Sequence, residues 1–220
     1  IYEILDVKSG IRVLDLGCGT GLLTMKIINW PNVEITAVDA SREMLDELKK
    51  KLLSTEEGKV NLIHNTAVEF MRSIRFNYDL IMCSAFLHHL VDYMEIIDLS
   101  LERLNKGGIL YIAYEPLKQV INSKMKFRCH KLVRYIDLFI FNYHMRIKDI
   151  KIGNGHEESM ADFQTRLGGI EADGVISELN KKGIVLDYSK FAARANGFLA
   201  FISDRIIKSQ NTFSIILKKV

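Results

Sequence analysis

Residues 13–21 read VLDLGCGTG, an apolar run that ends in Gly17, Gly19 and Gly21. Glycines let a backbone turn sharply and come close to a ligand. A helix starting just past them would offer unpaired N–H groups to a carboxylate or phosphate. Asp39 closes the next apolar run, where a carboxylate can accept hydrogen bonds from both hydroxyls of a ribose. A phosphate-cradling GxxxxGK[ST] loop is excluded, because no Lys follows the glycines. A dinucleotide GxGxxG pattern fails at Leu22, which takes the place of the third glycine. The GxGxG spacing fits a nucleoside without a pyrophosphate, with a small charged group near the glycines. A glycine turn with no ligand is the plainer alternative. Strand, helix and Asp39 in series weigh against it.

Such residues need a scaffold. Short apolar runs at 12–16, 34–38, 60–64, 79–83 and 109–114 alternate with helical stretches at 21–29, 41–53, 67–73 and 92–104. Strands separated by helices of this length imply βαβ units and a buried parallel sheet. Ser41 stands where a helix N-cap belongs, with Met44 and Leu48 expected to face inward. Gly107 and Gly108 form a turn that launches the fifth strand. The alternation breaks after Pro116. Residues 117–152 carry nine Lys or Arg against two acids, Asp137 and Asp149, a net charge of +7. They are also rich in aromatics, and read as a helical insertion followed by a loop over 153–169. A helix at 172–182, a strand at 184–188, an amphipathic helix at 193–208 and a last strand at 212–218 complete the chain.

A chain of 220 residues makes about one domain with an insertion. Hydrophobic residues at 48% against 26% charged exclude disorder for most of it. A net charge of +3 is too small to imply a nucleic-acid partner by itself. Cys18, Cys83 and Cys129 are odd in number and form no CxxC pair, which points to a reducing compartment. No uncharged apolar run reaches about 18 residues, and no signal-peptide pattern opens the chain. The expectation is a cytoplasmic location, with peripheral attachment to a membrane as a variant.

Residues 13–24 resemble motif I of the class I S-adenosylmethionine-dependent methyltransferases. Three further segments keep that family's order: 38–45 (VDASREML), 78–90 (YDLIMCSAFLHHL) and 104–116 (LNKGGILYIAYEP). The resemblance covers residues 11–116 and points to the small-molecule branch. It implies an α/β fold with a doubly wound, mostly parallel seven-stranded sheet, the Rossmann-like methyltransferase fold, with its seventh strand antiparallel. Residues 1–220 would then be a single domain, with 117–170 as an inserted helical cap. The implied cofactor is S-adenosyl-L-methionine, with S-adenosyl-L-homocysteine as product. By resemblance, Gly17, Cys18, Gly19 and Gly21 line the methionine moiety and Asp15 lies near the ammonium end. Asp39 holds the ribose, Ala40 and Met44 pack on the adenine, and Cys83 and Ser84 offer backbone carbonyls to the ammonium. Thr66, followed by Ala67, stands where the family often has an Asp for the adenine amino group. A hydroxyl there still accepts a hydrogen bond.

Methyl transfer asks for an acceptor held in line with water excluded. A base is needed only if the acceptor holds a proton tightly. His88 and His89 follow the fourth strand on the ligand side of such a sheet, as a general base or acceptor-orienting pair, or as structural residues capping a turn. They lack a partner at metal-ligand spacing, so no metal is expected. The Asn/Asp-Pro-Pro-Tyr/Phe motif of amino-methylating enzymes, the acids of catechol-type enzymes and the paired-glutamate loop of arginine methyltransferases are all absent. A small-molecule or lipid-like acceptor remains, methylated on O, N or C. The basic, apolar segment 117–152 reads as a lid over that acceptor, or as a helix buried against the core or in a homodimer. Other readings are contact with an anionic membrane or a carrier protein, with nucleic acid the least favoured. His156 and Glu157, in the loop after it, are candidates to reach an acceptor. The rival functions are a non-catalytic binding scaffold and an RNA methyltransferase using the basic segment.

Overall fold

The computed structural model describes residues 10–53, 57–118, 169–192, 197–208 and 210–220, together with positions 125, 128–129, 132–133, 135–137 and 139–140. Seven strands form one sheet in the order β3-β2-β1-β4-β5-β7-β6. They are β1 (Ile11–Leu16), β2 (Val33–Asp39), β3 (Val60–His64), β4 (Tyr78–Ser84), β5 (Leu104–Pro116), β6 (Gly183–Phe191) and β7 (Thr212–Lys219). β1 pairs in parallel with β2 and β4, β2 with β3, and β4 with β5. β7 runs antiparallel to both β5 and β6. This is the mostly parallel seven-stranded arrangement expected from the sequence. The order reverses between β1 and β4, and such a switch point opens a crevice beyond the carboxyl ends of the strands.

The helices are α1 (Thr24–Ile27), α2 (Arg42–Lys51), α3 (Ala67–Ser73), α4 (Tyr93–Arg103), α5 (Ala172–Leu179) and α6 (Gly197–Phe201). Phe70 and Met71 of α3, Ile96 of α4 and Val175 of α5 bury against one face of the sheet, with Leu14, Ile81 and Phe213. Ile27 of α1 and Leu45 and Leu48 of α2 bury against the other, with Val13, Ile35 and Leu80. Coverage on both faces explains why β1 and β4 read as nearly unbroken apolar runs. Three helices begin on side-chain caps. Ser41 accepts from the Met44 N–H at 3.3 Å, Thr66 from Glu69 at 3.3 Å and Asp92 from Glu95 at 3.1 Å. Each satisfies one of the amide groups that a helix start leaves open.

Several expectations need correction. Met44 does not face inward: it is 43% exposed, and Leu45 and Leu48 take the core positions. The first helix is a single turn at Thr24–Ile27, because Gly21 adopts a left-handed φ of +82° and the chain is still turning through residue 23. Gly107 and Gly108 lie inside a 13-residue β5, at a register slip against β4 between Tyr78 and Leu80, rather than ahead of the strand. Past α6 the chain widens into a π-helical stretch, Ile202–Ile207. The described positions within 125–140 are helical. The rest of the 117–152 insertion beyond residue 118, and the 153–169 loop up to residue 168 with His156 and Glu157, lie outside the described residues. No helix among the described residues is long and apolar enough to cross a membrane.

Candidate functional site

A cavity of about 870 Å3 opens at the carboxyl ends of β1, β2 and β4, within the ~300–1,000 Å3 range of small-ligand sites. It lies at the switch point, and the glycine turn forms its floor. The turn is fixed from β2: the Gly17 and Cys18 N–H groups both donate to the Val38 carbonyl, at 2.9 and 3.1 Å. Asp39 then locks it from the side. One carboxylate oxygen accepts from the Gly19 N–H at 2.8 Å, and the other accepts from the Ser41 N–H at 2.8 Å. A carboxylate oxygen has lone pairs for more than one donor, so both oxygens keep acceptor capacity at the cavity wall.

The three glycines do different jobs. Gly19, at φ +52°, has nothing within 4 Å of where a Cβ would stand, so that position is open. Gly17, at φ +66°, lies under Phe86: a Cβ would come within 2.2 Å of the ring. Gly21 does not line the cavity. Its Cβ would fall 2.2 Å from Leu48 Cδ1, so it lets α2 close against the turn. Gly21→Ala is therefore expected to lower stability by about 2–4 kcal/mol, combining left-handed strain with overpacking. Gly19→Ala should cost about 1–2 kcal/mol from strain alone. Chemical denaturation of the two variants side by side checks the difference.

Among the described residues, two carboxylates face the cavity and no Lys or Arg lines it. Asp15 is 2% exposed and accepts from the Thr24 hydroxyl at 2.7 Å. Burial pushes its pKa up to about 6, against the lowering effect of that hydroxyl. Such an acid gains from a cation brought into the cavity. Burial also pushes up the Cys18 thiol, which lines the cavity as a neutral group.

Of the residues singled out from the sequence, Asp15, Gly17, Cys18, Gly19, Asp39, Ala40, Met44, Thr66, Ala67, Ser84 and His89 come together around this one cavity. Three do not. Gly21 supports α2, as above. Cys83 is 1% exposed, with its side chain in the core. His88 turns away: its Nδ1 lies 2.9 Å from Glu115 Oε2, and its ring packs on His89 with centroids 4.0 Å apart. Thr66 lines the wall, but its hydroxyl oxygen already caps α3. Glu115 is the residue that sequence reasoning missed. It is fully buried and accepts from the Phe86, Leu87 and His88 N–H groups at 2.8, 2.9 and 3.1 Å. A Glu directly after the apolar run 109–114 was the one available signal. Among the described residues no group of three or more His, Cys, Asp or Glu could hold a metal ion.

Residues 14–110 match the family model described as "Methyltransferase domain". Over that stretch, a little under half of the chain, it is similar to methyltransferases. The trans-aconitate 2-methyltransferase of Pseudomonas paraeruginosa is 32% identical over 111 residues, covering 50% of this chain and 38% of that protein. The demethylmenaquinone methyltransferase of Bacillus cytotoxicus is 31% identical over 108 residues, covering 48% of this chain and 45% of that protein. The chain thus spans less than half the length of either relative in these matches. In fold it is similar to the N-methyltransferase NodS of Bradyrhizobium japonicum, solved with S-adenosyl-L-homocysteine. That similarity has a TM-score of 0.58 at 13% identity, over 99% of this chain and 83% of that one.

Proposed function

We propose that this protein transfers a methyl group from S-adenosyl-L-methionine to a small, partly apolar molecule. The observation that carries the reading is Asp39, whose carboxylate joins the glycine turn to the start of α2 at the wall of a cavity lined, among the described residues, by two acids and no Lys or Arg. The cofactor supplies an electrophilic methyl carbon on a sulfonium. The chain's own residues then bind, orient and exclude water. Asp39 accepts from the ribose hydroxyls, and Ala40 and Met44 give the adenine an apolar wall. Thr66 has one lone pair left for the adenine amino group, because the other serves the α3 cap. Asp15 would face the positive end of the cofactor, and Ser84 at the end of β4 lines the same cavity.

Among the described residues the rest of the cavity wall is mostly apolar, with Leu22, Leu23, Phe86 and Leu90, and it holds one histidine, His89. That wall suits a neutral ring or chain carrying one nucleophilic atom, with His89 as the wall residue whose chemistry could hold or take its proton. It gives a polycarboxylate no positive partner among the described residues. The test is transfer of labelled methyl from S-adenosyl-L-methionine to a phenol or quinol with an alkyl tail, beside trans-aconitate. Transfer to the tailed phenol is expected. Transfer confined to the tricarboxylate would contradict the proposed acceptor class.

A further inference from the structure

We propose that Glu115 is a positioning residue for the acceptor end of this cavity, a reading that rests on the methyl-transfer function above. Glu115 does not line the cavity and is 0% exposed. It nevertheless collects four hydrogen bonds from one short turn: the N–H groups of Phe86, Leu87 and His88, and His88 Nδ1. Three of these donors are backbone amides, two on Oε1 and one on Oε2, and Oε2 also meets the His88 ring. The fourth contact then selects the His88 form that carries a proton on Nδ1.

The backbone is shaped to make this possible. Strand β5 slips against β7 between Ile112 and Glu115, where three residues face two. The extra residue reverses the alternation, so Glu115 falls opposite Phe213 on the core face it would otherwise miss. Tyr114, at the slip, takes φ +57°, and Ala85, across from it on the β4 side, takes φ +49°. The Ala85 N–H donates to the Ala113 carbonyl at 2.8 Å, so the two left-handed residues flank one joint. Strained non-glycine residues persist only where their surroundings over-determine them. Here they bring the β5 carboxylate under the turn after β4.

The held turn is the acceptor wall. Phe86 lies over Gly17, His89 lines the cavity, and His88 packs against His89. The cofactor end uses a separate set of bonds, from Asp39 to Gly19 and Ser41. Glu115 should therefore set the acceptor wall while leaving the cofactor end alone.

The experiment uses the full chain without ligand. It compares wild type, Glu115→Gln and Glu115→Ala by nitrogen NMR of the histidine rings and by amide hydrogen exchange, with a titration of S-adenosyl-L-homocysteine into each. The glutamine keeps one acceptor oxygen but turns an NH2 group toward His88, so it preserves the fold even if the alanine variant unfolds. In Glu115→Gln the His88 proton is expected to move from Nδ1 to Nε2. Exchange of the Phe86–His88 amides should rise about 10-fold or more, as one charge-assisted set of bonds is lost. Affinity for S-adenosyl-L-homocysteine should stay within about 3-fold of wild type, less than one hydrogen bond's worth. An unchanged His88 ring pattern with unchanged exchange would overturn the proposal. So would a loss of affinity in step with the exchange, since Glu115 would then serve the whole cavity. The ring and exchange signatures need no ligand, so a wild type that binds no S-adenosyl-L-homocysteine would contradict the functional reading alone.

Discussion

Asp39→Ala is expected to weaken S-adenosyl-L-homocysteine binding by about 100-fold or more. Hydrogen bonds to a charged acceptor contribute roughly 1.5–3 kcal/mol each, and two ribose hydroxyls would lose theirs together. The same substitution releases the Gly19 and Ser41 N–H groups, which now meet the carboxylate at 2.8 Å each. The glycine turn and the start of α2 thus lose their common tether, and the loss falls on the cavity floor as well as on direct contacts. Asp39→Asn should fall between, because one acceptor oxygen survives. Asp46→Ala, which removes the same charge on α2 beside a different hollow, is the control. Calorimetric titration of the three variants reads the order directly.

The second large effect runs the other way. Asp15→Asn is expected to stabilise the ligand-free protein by up to about 3 kcal/mol at pH 8. Burial raises this carboxyl from its ordinary value of 3.8 to about 6. A carboxyl whose pKa rises on folding favours the fold while protonated. That contribution is complete below pH ~4, and is lost as pH rises through about 6. The wild-type protein therefore carries a buried ionised acid at neutral pH, at a cost that two pKa units set at roughly 3 kcal/mol. Asparagine matches the protonated acid in shape and can still accept from the Thr24 hydroxyl. Its advantage should shrink as pH falls and vanish near pH 4. For a chain of this size the gain at pH 8 corresponds to roughly 6–12 °C in Tm. The variant should also bind S-adenosyl-L-methionine more weakly, since the cavity loses one of its two carboxylates. A site that holds a destabilising acid for the sake of a cation is a familiar exchange of stability for function. Thermal unfolding of both proteins across pH 4 to 8 checks the sign. A variant less stable than wild type at pH 8 would mean that a partner already compensates the Asp15 charge.

What the sequence disclosed and what it withheld divide along physical lines. β3 and α3 fall at 60–64 and 67–73 as read, because Thr66 caps the helix and the apolar run before it is short and unambiguous. The glycine turn and Asp39 were legible because their chemistry lies in residue types at short spacing. The face presented by Met44 was not, since Leu45 satisfies the same helical periodicity and only the packing of α2 decides between them. Gly21 looked like its neighbours in the motif, yet its role is set by Leu48, a residue on another helix. Glu115 was hidden for a related reason. Counting by twos places it on the wrong face of β5, and the register slip that corrects the count depends on β7, about 100 residues away. His88 and His89 are adjacent and identical in sequence. Only the clamp on the turn separates the one held by Glu115 from the one at the cavity wall.

The central claim is that this cavity holds S-adenosyl-L-methionine. The most direct measurement is thermal unfolding of the wild-type chain with S-adenosyl-L-methionine and with S-adenosyl-L-homocysteine over a range of concentrations. At ~100 times the dissociation constant, binding adds about 2.7 kcal/mol, which for this length means a rise of roughly 5–11 °C. Both ligands should raise Tm in a concentration-dependent way. No shift with either at millimolar concentration would contradict the account.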